Sequence, residues 1–282
     1  RQRQMCIRDR AKSTFVSLFF VLWAVLTGRK HYILIIADAL EQAASLLGAV
    51  KDELEFNEAL KRDFPGAGKG HVWNVGTVVT PGNVKIQALG AGKRMRGLRH
   101  GPHRPDLIVL DDLENDGNVD KPEQRDKLQS WLQKTVLNLG AADGSMDVVY
   151  VGTLLHYDSV LARTLRKPLW KARTFRSILR WPDRMDLWDE WESLLSSRGE
   201  AEARRFYRQH RVKMEAGAEV SWPASRPLYR LMCLRAEDRE AFDSEQQNDP
   251  LSANEAPFNG CITFWVDRSR DWLLFGAVDP SL

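Results

Sequence analysis

Two short stretches hold residue types whose spacing could do phosphate chemistry. The first is Ala11-Lys12-Ser13-Thr14, which runs into a long apolar segment. A Lys followed by a hydroxyl at the mouth of a helix is the back half of a phosphate-binding loop: the Lys reaches the outer phosphates and the hydroxyl ligates Mg²⁺. The front half needs a Gly that lets successive N–H groups curl round the phosphates, and residues 1–10 contain none. The competing reading of the tetrapeptide is a basic cap on a buried helix. The second stretch is Leu107-Ile108-Val109-Leu110-Asp111-Asp112, an apolar run closed by two acids, the shape of a Walker B strand. Ligands of α/β sheets sit beyond the carboxyl ends of the strands, so Asp111 is placed to hold Mg²⁺ through water. A following carboxylate, either Asp112 or the nearby Glu114, is then placed to orient or deprotonate an attacking water. The competing reading is that these acids cap the next helix.

Two further features lie in the same chain order. Arg94, Arg96 and Arg99 sit in a Gly-rich loop just upstream of the acidic strand. A guanidinium there could swing against a γ-phosphate as transition-state charge spreads over its oxygens, or it could serve a solvated turn or a DNA-backbone contact. Thr153 follows Gly152 at the end of a buried strand, where a γ-phosphate sensor would lie. His100 and His103 lack acidic or Cys partners at metal spacing and are read as bystanders.

These residues need a sheet to bring them together, and the periodicity supplies one. It predicts a helix at about 13–27, a strand at 32–37, and an amphipathic helix on Leu40, Ala43, Leu47 and Val50. A hairpin turns at Pro81-Gly82-Asn83, a helix starts near Pro122, a strand covers MDVVYVGT, and a helix follows from about Ser159. Strands alternating with helices imply a largely parallel α/β sheet with helices on both faces. Beyond about Pro168 the chain becomes charged and Trp-rich at helical spacing, and its last stretch, TFWVDRSRDWLLFGAVDPSL, reads as the start of a new sheet. Residues 1–10 are Arg- and Gln-rich without periodicity and read as a foreign leader that adds no packed element.

Composition narrows the classes. The chain has 282 residues, 43% of them apolar, enough for a substantial core. Its formal charge is only +3, from 41 basic and 38 acidic residues, so any nucleic-acid partner must be met by local patches. Cys6, Cys233 and Cys261 lack paired spacing, which argues against a zinc site or disulfide framework and fits a reducing compartment. The apolar run from Phe15 to Leu26 falls short of the roughly 20 residues that a membrane-spanning helix needs.

Taken in order, AKST with its apolar helix, YILIIADALEQA, the hairpin leading to KRMRG, RPDLIVLDDLEND, VVYVGTLLH, FDSEQQNDP and FGAVDPSL resemble the large terminase subunit of tailed bacteriophages. The resemblance spans roughly residues 11–282. It implies a RecA-like P-loop ATPase domain over 11–167 with its start missing, a linker or helical subdomain over 168–257, and the first strand of an RNase H-like nuclease over 258–282. Carried over residue by residue, Ala11, Lys12, Ser13 and Thr14 would be Walker A, binding ATP. Ser13 and Asp111 would hold Mg²⁺, Asp112 or Glu114 would serve the attacking water, Arg96 would be the arginine finger, and Thr153 the coupling residue. Asp279 would be the first metal-binding acid of the nuclease, whose second metal site belongs to sequence beyond this chain. The partners implied are double-stranded viral DNA, the portal protein, the small terminase subunit and further copies in a ring on the prohead, in the host cytoplasm and without a membrane. Two other classes fit parts of the pattern: another P-loop DNA translocase or helicase-like ATPase, and a non-enzymatic nucleic-acid-binding assembly protein.

Overall fold

The computed structural model describes residues 2–6 through their backbone and residues 12–250 in full. Strand β1 (Gln2–Cys6) comes first. The helix after it starts at Lys12, runs as π-helical turns over Thr14–Phe20 and continues as α1 (Val21–Leu26). β2 (Tyr32–Ala37), α2 (Leu40–Phe56) and α3 (Glu58–Asp63) precede β3 (Val72–Trp73), β4 (Thr77–Val79) and β5 (Lys85–Gly90). β6 (Leu107–Asp111) leads through α4 (Asp116–Val119) and α5 (Pro122–Lys134) to β7 (Asp147–Gly152), α6 (Val160–Leu165) and β8 (Lys171–Thr174). The remainder is β9 (Ile178–Arg180), α7 (Met185–Arg198), α8 (Glu200–Glu215), β10 (Glu219–Val220), α9 (Leu228–Glu237) and α10 (Arg239–Gln247).

The main sheet has the order β3-β4-β5-β2-β6-β7-β1-β8. Every pairing from β5 through β8 is parallel, and β3 and β4 add an antiparallel edge joined to β5 by the expected hairpin. This is the largely parallel α/β sheet that the alternation of elements predicts. Its central strands β2 and β6 are runs of buried apolar residues up to Asp111 at the end of β6, because both faces are covered. Ile33, Ile35 and Ala37 of β2 pack with Val109, Val149 and Val151 under α1 and α2. Tyr32, Leu34 and Ile36 pack with Ile108, Leu110, Val148 and Tyr150 under α5 and α6. The period of two in a strand divides one continuous apolar run between two cores. Since the six strands are parallel, their carboxyl ends share one edge, and Lys12, Asp38, Asp112 and Thr153 all follow directly or closely from that edge.

Two boundaries differ from the sequence reading. The segment expected to add no packed element supplies β1, paired on one side with β7 and on the other with β8. Backbone hydrogen bonding to two neighbours does not require the apolar alternation that the reading relied on. The sheet also continues past 167, because β8 pairs with β1 at Lys171–Thr174. All four β8 residues are exposed, so no apolar signal marks that edge strand. The helices beyond it form their own core, in which Trp188, Trp191, Met214, Leu231, Met232 and Phe242 are buried together with Ile178. Among the described residues no helix is long and apolar enough to cross a membrane. Residues 258–282, read as the start of a nuclease with Asp279, lie outside the described residues, as does Ala11.

Ile35 is fully buried at the centre of the sheet. Ile35→Ala is expected to lower stability by about 2–5 kcal/mol through lost burial and the cavity left behind. A urea titration checks this: the midpoint falls while the slope stays constant.

Candidate active site

The site starts from the polar groups at the mouth of the first helix. Lys12 is only 6% exposed, and an ammonium so placed requires partners. Its Nζ donates to Asp112 Oδ1 at 2.6 Å and to Thr153 Oγ1 at 3.1 Å, which joins the helix after β1 to the ends of β6 and β7. Ser13 Oγ donates to Asp111 Oδ1 at 3.0 Å, and Ser17 donates to the other carboxylate oxygen. Both serines come from the same helix. In its wider π-helical turns residues four apart fall nearly into line, so both hydroxyls meet one carboxylate, and such turns concentrate at functional sites. Asp111 is 1% exposed. Burial, with the neighbouring Asp112 charge, pushes its carboxyl above the ordinary value, and the serine hydrogen bonds act against that rise.

Asp112 leaves the strand in the left-handed region at φ 44°. Few non-glycine residues adopt that conformation, Asp and Asn more readily than most. It is held there by its neighbours: its N–H donates to the Val151 carbonyl at 3.0 Å and its carbonyl accepts from Asp38 N–H at 3.2 Å. Gly152 stands directly behind it. A Cβ on Gly152 would lie 3.0 Å from Leu161 Cδ2 and 3.5 Å from Asp112 Oδ1, so the close approach of β7 to this turn leaves little room for a side chain.

Glu114 is engaged differently. Its Oε1 accepts the Val160 N–H at 2.7 Å, and its Oε2 accepts the Leu161 N–H at 3.0 Å and the Tyr150 hydroxyl at 3.4 Å. Both oxygens are therefore committed to the start of α6. Burial raises its carboxyl above the ordinary range while the two N–H donors pull it back. The sequence left Asp112 and Glu114 as alternatives. Their contacts divide them into a carboxylate facing Lys12 and a carboxylate anchoring a helix.

These groups line a cleft of about 500 Å³ that includes Lys12, Ser13, Thr14, Asp112, Glu114 and Thr153. Sequence reasoning missed several of its neighbours. Asp38 also lines the cleft, and its carboxylate accepts from Asn115 and, at 3.2 Å, from Asn118. It ends the apolar run of β2 just as Asp111 ends that of β6, a signal available in ILIIAD. Ser17, a lone hydroxyl within FVSLFF, was a second available signal. Glu245 reaches the cleft from α10, and no local pattern announces it.

Arg94, Arg96 and Arg99 are exposed and do not line this cleft. Met95 is buried and Trp131 Nε1 donates to the Lys93 carbonyl at 2.9 Å, which fastens the loop to the sheet's second face. His100 and His103 stay apart from the cleft too: His100 Nε2 meets the Asn83 carbonyl at 3.0 Å, and His103 stacks on His31 with ring centroids 4.2 Å apart.

The donor set suits a hard cation shared with phosphate. Among the described residues no three His, Cys, Asp or Glu side chains converge as a metal cage. Ser13 and Asp111 instead offer the one or two protein oxygens with which Mg²⁺ is commonly held beside substrate phosphates.

No protein-family model matches the chain, and no curated protein matches it. Solved structures superpose on it, among them two forms of one domain. One is the Thermus phage P74-26 large terminase ATPase domain, with a TM-score of 0.43 and 16% identity, covering 89% of this chain and 88% of that one. The other is a single-residue mutant of that domain, with a TM-score of 0.41 and 13% identity, covering 89% of each chain. The fold rests on this chain's own strand order, and the site on its own contacts.

Glu114→Ala leaves the Val160 and Leu161 N–H groups without their acceptor. The expected loss of stability is about 1–3 kcal/mol, the cost of an unsatisfied buried donor. Chemical denaturation checks it, with faster amide exchange at Val160 and Leu161 as the local signature.

Proposed function

We propose that this chain is the ATP-hydrolysing part of a viral DNA-packaging motor. The observation that carries the ATPase reading is the bridge from Lys12 Nζ to Asp112 and Thr153, beside Ser13 on Asp111. These contacts bring Lys12, Ser13, Asp112 and Thr153 to one cleft, with Asp111 buried directly behind Ser13, which is the grouping that a phosphate-binding helix mouth and a Walker B strand would need. The DNA-packaging reading is finer and is supported by the order of the motifs, from AKST through LIVLDDLEND and VVYVGT to FDSEQQNDP. It includes the partners given above, double-stranded DNA, portal protein, small terminase subunit and a homo-oligomeric ring, working in the host cytoplasm. A metal-dependent nuclease would begin over residues 258–282, with Asp279 as its first metal-binding acid.

The residues divide the work as follows. Lys12 exchanges Asp112 for the outer phosphates, since an ammonium binds phosphate as a point charge. That exchange releases the Asp112 carboxylate, which then orients or deprotonates the attacking water. Asp112 rather than Glu114 takes this part because both Glu114 oxygens are occupied by backbone N–H groups. Thr153, hydrogen-bonded to Lys12, registers the terminal phosphate when Lys12 moves. Ser13 and Asp111 would hold Mg²⁺, which would supply neutralisation of phosphate charge. The cleft needs that help: Asp38, Asp112, Glu114, Asp116 and Glu245 line it with Lys12 as its one cation among the described residues. Exposed and outside its own cleft, Arg96 fits a finger supplied in trans to a neighbouring copy.

Two expected outcomes follow from this division. Lys12→Ala abolishes Mg²⁺-dependent ATP binding in a fluorescence titration, while Asp112→Asn retains binding and loses about 10²–10⁴-fold in turnover, the usual contribution of a general base. Asn tolerates the left-handed backbone, so this variant isolates the carboxylate. ATP binding that survives Lys12→Ala would refute the reading. If Arg96 acts in trans, mixing inactive Arg96→Ala and Lys12→Ala copies restores turnover above the sum of the two; a mixture as inactive as its components assigns Arg96 elsewhere.

A further inference from the structure

Asn248 closes α10 in the left-handed conformation, with φ 50° and ψ 43°, and is 5% exposed. Its side-chain amide makes two contacts with the main sheet. Oδ1 accepts the Leu154 N–H at 3.2 Å, and Nδ2 donates to the Phe175 carbonyl at 2.8 Å. Leu154 is the residue after Thr153 at the end of β7, and Phe175 is the residue after β8. Between β7 and β8 lies β1, the strand that precedes Lys12. One amide thus spans the ends of the two strands flanking β1. It acts on the peptide next to the hydroxyl that accepts from Lys12.

The neighbours of Asn248 make this a firm attachment. The Ser177 N–H donates to the Gln246 carbonyl at 2.8 Å, and Arg226 Nη1 donates to Gln246 Oε1 at 2.7 Å. Glu245, one turn back on α10, lines the cleft itself. Asn is the side chain that meets every demand here: a donor and an acceptor on one short amide, and tolerance of positive φ.

We propose that Asn248 is a positioning residue for the cleft: it holds the Thr153–Leu154 peptide so that the Thr153 hydroxyl faces Lys12, and it thereby ties the cleft to the helices built on Trp188 and Trp191. The inference rests on the ATPase reading given above and deepens it. A shift of Thr153 on phosphate arrival is transmitted to α10 through this amide, and a shift of α10 is transmitted back.

The test uses the full chain with Asn248→Gly and Asn248→Asp. Gly keeps the left-handed backbone and removes the amide. Asp keeps the acceptor for Leu154 and sets a carboxylate against the Phe175 carbonyl. ATP affinity, turnover per folded molecule and amide exchange are measured on each. For Asn248→Gly the expected result is a fall in turnover of about 10- to 100-fold, the scale of a misplacement of about 1 Å. ATP affinity changes little, exchange at Leu154 speeds up, and exchange in α7 and α8 is unchanged. Thr153→Ala added to Asn248→Gly lowers turnover no further, because both changes remove the same placement. Asn248→Asp retains protection at Leu154 and part of the turnover. Unchanged exchange at Leu154 in Asn248→Gly overturns the proposal, and so does faster exchange with unchanged turnover, which would make Asn248 a helix cap alone. Failure of the ATPase reading shows elsewhere, as absent ATP binding by the unaltered chain.

Discussion

A buried ammonium needs a partner, and the placement of Lys12 organises much of the site. Removing one charge from water costs several kcal/mol unless geometry and hydrogen bonds offset it. Lys12 meets that requirement by bonding to groups on two different strands, Asp112 after β6 and Thr153 after β7. The parallel sheet must therefore deliver both strand ends and the helix mouth to one place. It does so because β1, β7 and β6 are successive neighbours with matching direction. The same requirement gives a use to the left-handed turn at Asp112, since a backbone in a sparsely populated region persists where surrounding bonds over-determine it.

The pair is also the part of the site with an alternative partner. On the proposed reading a phosphate would offer Lys12 the charge that Asp112 supplies, so the two anions would compete for one ammonium. Asp111 has a different standing: it is deeper, bonded to two serines of one helix, and its carboxyl is raised by burial. That arrangement holds Ser13 in register with β6. Glu114 is more static still, because backbone N–H groups of α6 occupy both its oxygens. Three neighbouring acids thus differ in role because their partners differ.

Much of this was legible in the sequence. β2, β6 and β7 announce themselves because burial on both faces leaves only apolar residues, and each run is closed by a polar residue at the edge where the site forms. The pairing of Ser13 with Asp111 follows from that logic, although the residues are 98 apart in sequence. What stayed hidden was set by contacts that no local period encodes. β1 and β8 are held by backbone pairing without an apolar stripe. The anchoring of α6 by Glu114 depends on where the chain returns 46 residues later. The reach of Asn248 to Leu154 spans 94 residues and joins two separately packed cores. Arg96 lies in an exposed loop outside this cleft, and sequence offers no means of telling which cleft such a loop serves.

The central claim is that one cleft binds Mg²⁺ and the phosphates of ATP at Ser13, Asp111 and Lys12. The most direct measurement is a crystal structure of the chain with Mn²⁺ and a non-hydrolysable ATP analogue, with the metal located by its anomalous scattering. The account predicts the metal beside Ser13 Oγ on the Asp111 side of the cleft, with Lys12 Nζ moved from Asp112 onto the outer phosphates. A metal and nucleotide bound away from Ser13, or a bound nucleotide with Lys12 still on Asp112, would contradict it.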